Sequence, residues 1–164
     1  MSHHLPILLD ELAQFCQGKK LKIATAESCT GGGVAYQITS KPGSSQWFDR
    51  GFVTYSNLAK VEMLGVREST LATFGAVSQE AAKEMAEGAL RYSAANVTLA
   101  ITGIAGPDGG TVEKPVGTCW FAWASHYFET QCEHKIYSMD RAALREQAIL
   151  FSLTHLMKTL KNEV

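Results

Sequence analysis

Little in this chain of 164 residues leans toward one sign of charge: 15 Lys and Arg stand against 16 Asp and Glu, for a formal net charge of -1. No basic cluster is present to meet the phosphates of a nucleic-acid duplex, which demand several cationic contacts on one face. No apolar run reaches the roughly 18 residues that span a bilayer. The amino terminus lacks the basic stretch, continuous apolar segment and small-residue cleavage site of an export signal, so the expected location is the cytoplasm. The four cysteines, Cys16, Cys29, Cys119 and Cys132, have no paired C-x-x-C spacing, which removes zinc-cage and dithiol motifs. They are expected to be reduced and structural, although Cys119 and Cys132 lie in strand-like runs that could meet across a sheet. His3 and His4 form an adjacent pair that reads as a solvated terminus rather than a metal site. Linkers, low-complexity tracts and internal repeats are also missing, so residues 1–164 read as one domain.

What is present is the balance of an ordinary globular protein, 46% hydrophobic and 19% charged. Leu5, Leu8, Leu9, Leu12 and Phe15 recur at helical spacing and predict a first helix over residues 5–18, with Gly18 as its stop. Residues 21–26 predict a short buried strand, and 30–38 a helix despite its glycines. A second strand is expected over 48–55, then a helix over 58–64 capped by Asn57. Ser78 opens an alanine-rich helix to about Tyr92. A third strand covers 97–102, and a glycine-rich loop over 103–115 leads to a strand over 116–124 and its hairpin partner over 127–137. A last helix runs from about Arg141 to Lys161. Helices alternating with buried strands, followed by adjacent strands, predict a three-layer α/β/α sandwich with a mixed, mostly parallel sheet.

Ligands in such folds gather at the carboxyl ends of strands. Ser28, Tyr55 with Lys60, and Thr102 with Gly103 all fall just after the first three strands. Ser28 sits between strand end and helix start, where the amides of Thr30 and Gly31 and the positive helix end suit an oxyanion. A plain helix cap is the alternative role for Ser28. A serine nucleophile needs a base, and His126, His134 and His155 fall in late elements away from it. Lys60, in the first turn of its helix, would serve if burial and the dipole favour the neutral amine; otherwise it is a solvated lysine. Tyr55 could stack on an aromatic ring or simply fill the core. The loop from Thr102 to Gly110 has the composition of a phosphate or carboxylate cradle, yet lacks P-loop and dinucleotide-binding patterns. Arg141 and Arg145, one turn apart, could grip a phosphate together or pair with Asp140 or Glu146.

Ala26-Glu27-Ser28-Cys29-Thr30-Gly31-Gly32, Tyr55-Ser56-Asn57 with Lys60, Gly75-Ala76-Val77-Ser78, Ile101 through Pro107, and Glu113 through Thr118 together resemble the CinA carboxyl-terminal domain family. The resemblance covers nearly the whole chain, and the best-characterised members of that family are nicotinamide mononucleotide amidohydrolases. It implies a Ser-Lys hydrolase that converts nicotinamide mononucleotide to nicotinate mononucleotide and ammonia, with no cofactor and no metal. It also implies Ser28 as nucleophile, Lys60 as base, and Tyr55, Thr102 and Arg141, with Gly103 and Arg145 beside them, as substrate or support positions. Family members can carry a larger amino-terminal domain; at 164 residues this chain is expected to be the free-standing form. Asp108 departs from the glycine common at its place in the loop. The other reading is a nucleotide-binding or regulatory module with little turnover. The expected partner is a small nucleotide, and a homodimer is the default assembly for such a domain.

Overall fold

The computed structural model describes residues 3–164. Helix α1 (His4–Lys19) buries Leu5, Leu9, Leu12 and Cys16, the single face that a spacing of three and four residues creates. Gly18 does not stop it. The left-handed turn falls on Lys20 (φ 57°), because Leu21 must enter the core and its amide bonds the Cys16 carbonyl at 2.8 Å. Strand β1 (Ile23–Glu27) follows, buried at every position. Then come α2 (Gly33–Thr39), a 3-10 turn (Ser44–Gln46), β2 (Phe48–Val53), α3 (Asn57–Leu64), α4 (Glu68–Phe74) and α5 (Gln79–Arg91). The chain closes with β3 (Val97–Gly103), β4 (Thr118–Ser125), β5 (Gln131–Ile136) and α6 (Arg141–Glu163). Among the described residues no helix is long and apolar enough to cross a membrane.

The five strands lie in the order β2-β1-β3-β4-β5. β1 pairs in parallel with β2 and β3, while β4 runs antiparallel to both β3 and β5, so four strands point one way and β4 alone is reversed. The expected mixed, mostly parallel sandwich is thus the observed one. Period-two alternation divides β3 between two cores. Val97, Leu99 and Ile101 face α1 and α6 with Trp123 and Leu153, whereas Ala100 joins Ala26, Ala122 and Ala124 beneath α5. Small residues on that second face let α5 lie close. Gly88 of α5 has no room for a side chain, since a Cβ would meet the Leu64 carbonyl oxygen at 2.0 Å.

Several boundaries differ from expectation for visible reasons. β4 begins at Thr118 instead of Val116, because Gly117 (φ 99°) passes under the Tyr137 carbonyl, where a Cβ would sit 2.0 Å from the oxygen. Helix α4 has no counterpart in the sequence reading; Arg67 at its N-cap makes no side-chain capping bond, so no cap residue announces it. Ser56, not Asn57, caps α3 by accepting from the Ala59 amide at 3.0 Å. Ser78 caps α5 as its sequence suggests, accepting from Ala81 at 3.1 Å. The cysteines Cys119 and Cys132 do not meet: Cys119 lies opposite Lys135 and Cys132 opposite Ala122. It is Cys29 that meets Cys119, their sulfurs converging where Gly103 carries no side chain.

Candidate active site

Strands β1, β2 and β3 are parallel neighbours, so their carboxyl ends open on one edge of the sheet. The Ser28 amide donates to the Ile101 carbonyl at 2.9 Å and the Thr54 amide to the Glu27 carbonyl at 2.8 Å, which extends the ladder one residue past each strand. Ser28 therefore hangs on the sheet, not on a helix. The α2 N-cap is Gly32, and Ser28 caps nothing. The helix starts at Gly33 rather than Thr30 because Gly31 and Gly32 take left-handed angles of 59° and 95°, open to glycine without strain.

The first amides of α2 do not face the pocket. Glu27, fully buried, accepts from Val34 at 2.8 Å and Ala35 at 3.1 Å, and its carboxylate takes the Thr30 hydroxyl at 2.7 Å. A carboxylate at a helix N-terminus satisfies donors that the helix itself cannot. That use of the helix end was missed from the sequence, although an acid closing the apolar run Ile-Ala-Thr-Ala-Glu was the signal. The Gly31 amide donates to the Ser28 carbonyl at 3.0 Å, closing a tight turn around Cys29. The Thr30 amide has no such acceptor among the described residues.

Lys60, on the first turn of α3, is only 1% exposed, so it is not the solvated lysine of the bland alternative. Its Nζ lies 3.0 Å from Ser28 Oγ, 2.9 Å from the Thr54 carbonyl oxygen and 3.5 Å from the Tyr55 carbonyl oxygen. Burial pushes the Lys60 amine below its ordinary value, a displacement opposed in smaller part by charge on Cys29. Carbonyl oxygens only accept. A neutral amine that gives its two N–H groups to Thr54 and Tyr55 is left with its lone pair toward Ser28, the one neighbour with a proton to offer.

A pocket of about 310 Å³ opens over this pair, lined among others by Cys29, Tyr55, Asn57, Val77, Thr102, Gly103, Ile104, Asp108 and Arg141. Arg141 donates to the Tyr55 hydroxyl and to the Gly106 carbonyl, each at 3.0 Å, and so ties the end of β2 to the glycine loop. Thr102 turns its hydroxyl away, donating to the Ala76 carbonyl at 2.8 Å. That bond fixes the α4–α5 connector whose Val77 forms a wall. Lys114 holds the same connector from the other side by donating to the Phe74 carbonyl. Ser28, Lys60, Tyr55, Thr102, Gly103 and Arg141 are thus brought to one cavity. Arg145, Thr30 and Gly31 do not line it; Arg145 instead donates to the Thr30 carbonyl at 3.3 Å. None of the late histidines reaches the site: His134 stacks on Trp120 and His155 on Trp123.

Residues 7–160 match the model of the CinA C-terminal domain family. The nicotinamide-nucleotide amidohydrolase PncC of Escherichia coli (strain K12) is 52% identical over 146 residues, covering 89% of this chain and 88% of that protein. A protein of the same name from Pseudomonas putida is 44% identical over 153 residues, covering 92% of this chain and 94% of its own. Among solved structures, the competence/damage inducible protein CihA of Agrobacterium tumefaciens superposes with a TM-score of 0.94 at 41% identity, covering 98% of each chain.

Proposed function

The chain belongs to the CinA C-terminal domain family, and on that premise we propose that it is a nicotinamide-nucleotide amidohydrolase working through Ser28 and Lys60. The observation that carries this reading is the 3.0 Å contact between Lys60 Nζ and Ser28 Oγ inside a buried pocket edge. The relatives named nicotinamide-nucleotide amidohydrolase support the substrate class, within which nicotinamide mononucleotide is the proposed substrate.

Neutral Lys60 takes the Ser28 hydroxyl proton as Oγ attacks the carboxamide carbon. Cys29, the pocket residue directly after the nucleophile, offers its backbone amide as the donor for the oxyanion that develops. Lys60 then passes its proton to the departing nitrogen, and ammonia leaves an acyl-serine. Water, deprotonated by the same amine, cleaves that ester and releases nicotinate mononucleotide. Arg141 is the cation in the pocket for the substrate phosphate, and Tyr55 lies at the mouth beside it to contact the nicotinamide ring. Holding the remote phosphate places the amide against Ser28.

Ammonia release from nicotinamide mononucleotide tests the reading directly, comparing the unaltered protein with Ser28→Ala and Lys60→Ala. Each substitution is expected to remove activity by at least about 10³-fold, the scale of losing one member of a nucleophile-base pair. Equal release from all three removes the dyad. Tight binding of the nucleotide without release would mark a binding module instead.

A further inference from the structure

We propose that Arg145 is a positioning residue for the nucleophile, acting through the peptide group between Thr30 and Gly31. The proposal rests on the reading of Ser28 as nucleophile and adds a role that no pocket residue supplies. Arg145 Nη2 donates to the Thr30 carbonyl at 3.3 Å. At the other end of that same peptide, the Gly31 N–H donates to the Ser28 carbonyl at 3.0 Å. One planar unit is therefore held between a cation from α6 and the backbone of the nucleophile itself.

A peptide group is rigid, so turning its carbonyl turns its N–H with it. Gly31 sits at φ 59° with no Cβ to resist rotation, which leaves the orientation of this peptide dependent on its hydrogen bonds. Gly33 contributes a second bond to the Thr30 carbonyl at 2.9 Å, but Gly33 opens α2 directly after the same turn and moves with it. Arg145 comes from a separate element, the 23-residue α6, and anchors the turn to the body of the protein. A positive group on the carbonyl also polarises the peptide and strengthens the N–H as a donor to Ser28.

The Thr30 carbonyl is the one hydrogen-bond acceptor of this guanidinium among the described residues, and its charge also bears on the Cys29 thiol, the residue after the nucleophile. Arg145 lines no part of the pocket, unlike Arg141 one turn earlier. Its Nε is shielded from solvent without an acceptor. A lysine at this position would therefore lose no Nε bond while keeping a charge that can reach the Thr30 carbonyl.

The test uses the full chain with Arg145→Lys and Arg145→Met, against nicotinamide mononucleotide and against nicotinamide riboside, which has the same carboxamide and no phosphate. A fluorophosphonate that labels activated serines serves as a probe independent of either substrate. Arg145→Met is expected to lower kcat by about 10- to 100-fold, the cost of a small misplacement of a reacting group, with KM within about 2-fold. The loss is the same for both substrates, fluorophosphonate labelling of Ser28 slows in parallel, and Arg145→Lys restores most of each. A methionine variant with unaltered kcat and labelling overturns the proposal. So does a loss that appears in KM for the phosphorylated substrate alone, which would make Arg145 a phosphate ligand. Should the methionine variant not fold, Arg145→Gln carries the same comparison. If the unaltered protein releases no ammonia from either substrate, the amidohydrolase reading fails while the labelling rates still decide the role of Arg145.

Discussion

Lys60 Nζ bonds the Thr54 carbonyl oxygen at 2.9 Å, and this contact sets the direction in which the amine faces Ser28. Thr54 is the first residue beyond β2 and Lys60 the fourth of α3, so a short strand-to-helix connection folds the lysine back over its own entry. The amine is thereby aimed by backbone that the sheet holds in place.

The pH dependence of catalysis follows from the burial of that amine. The proposed mechanism requires a neutral base, and burial lowers the Lys60 value from the ordinary 10.5. In a profile of kcat/KM against pH, activity is expected to rise with increasing pH through an ionisation displaced to the acid side of a free lysine. Arg in place of Lys60 should remove the limb and the activity together. An ionisation at the ordinary lysine value would contradict the proposed state of the amine.

Lys60 should also separate activity from stability. A buried amine is costly to desolvate, and an apolar chain of similar length avoids that cost. Lys60→Met is expected to leave Tm within about 3 °C of the unaltered protein, or to raise it, while ammonia release disappears. A large fall in Tm, read by thermal unfolding, would mean that the bond to Thr54 is chiefly structural.

Gly103 is the meeting point of two sulfurs. A Cβ there would lie 2.6 Å from Cys119 Sγ, 3.1 Å from Cys29 Sγ and 3.1 Å from the Thr118 carbonyl oxygen. Gly103→Ala is expected to destabilise the fold by about 1–3 kcal/mol, the usual cost of overpacking. Cys119→Ala in the same chain removes the closest contact and should recover part of the loss. Urea unfolding of the single and double variants measures the coupling, and simple additivity would show that the sulfur is not the obstacle.

His155 predicts a loss of stability in acid. Burial against Trp123, 3.9 Å away between ring centroids, lowers its value below the ordinary 6.5, with Glu133 opposing at 3.5 Å. A folded-state value below that of the unfolded chain means the unfolded chain binds the extra proton. Stability is therefore whole above about pH 6.5 and falls as pH drops below that value toward the folded one. His155→Phe should flatten this part of the curve of Tm against pH, and an unchanged slope would assign it to other groups.

The helical spacing of α1 and α6 and the apolar runs of β1 and β3 were legible because a buried face imposes a pattern that the order of residue types along the chain reveals. The order of elements then required a sandwich whose parallel strands end on one edge, which placed Ser28, Lys60 and the glycine loop together. The start of α2 was less legible. Its first donors are satisfied by Glu27 across the turn, a partner that spacing rules for caps do not include. Helix α4 stayed hidden because its N-cap residue, Arg67, offers no capping bond.

By itself, then, the sequence determined which residues are candidates for the chemistry and which edge of the sheet they share, since both follow from residue type and from the order of strands and helices. Only the tertiary structure decided that Lys60 is buried with its amine 3.0 Å from Ser28 Oγ, that the end of α2 is occupied by Glu27, and that Arg145 reaches Thr30 where Arg141 reaches the pocket. Those outcomes depend on angles and distances between segments far apart in the chain. Two arginines one turn apart on a helix look alike in sequence, and the backbone each one meets across the fold gives them different places.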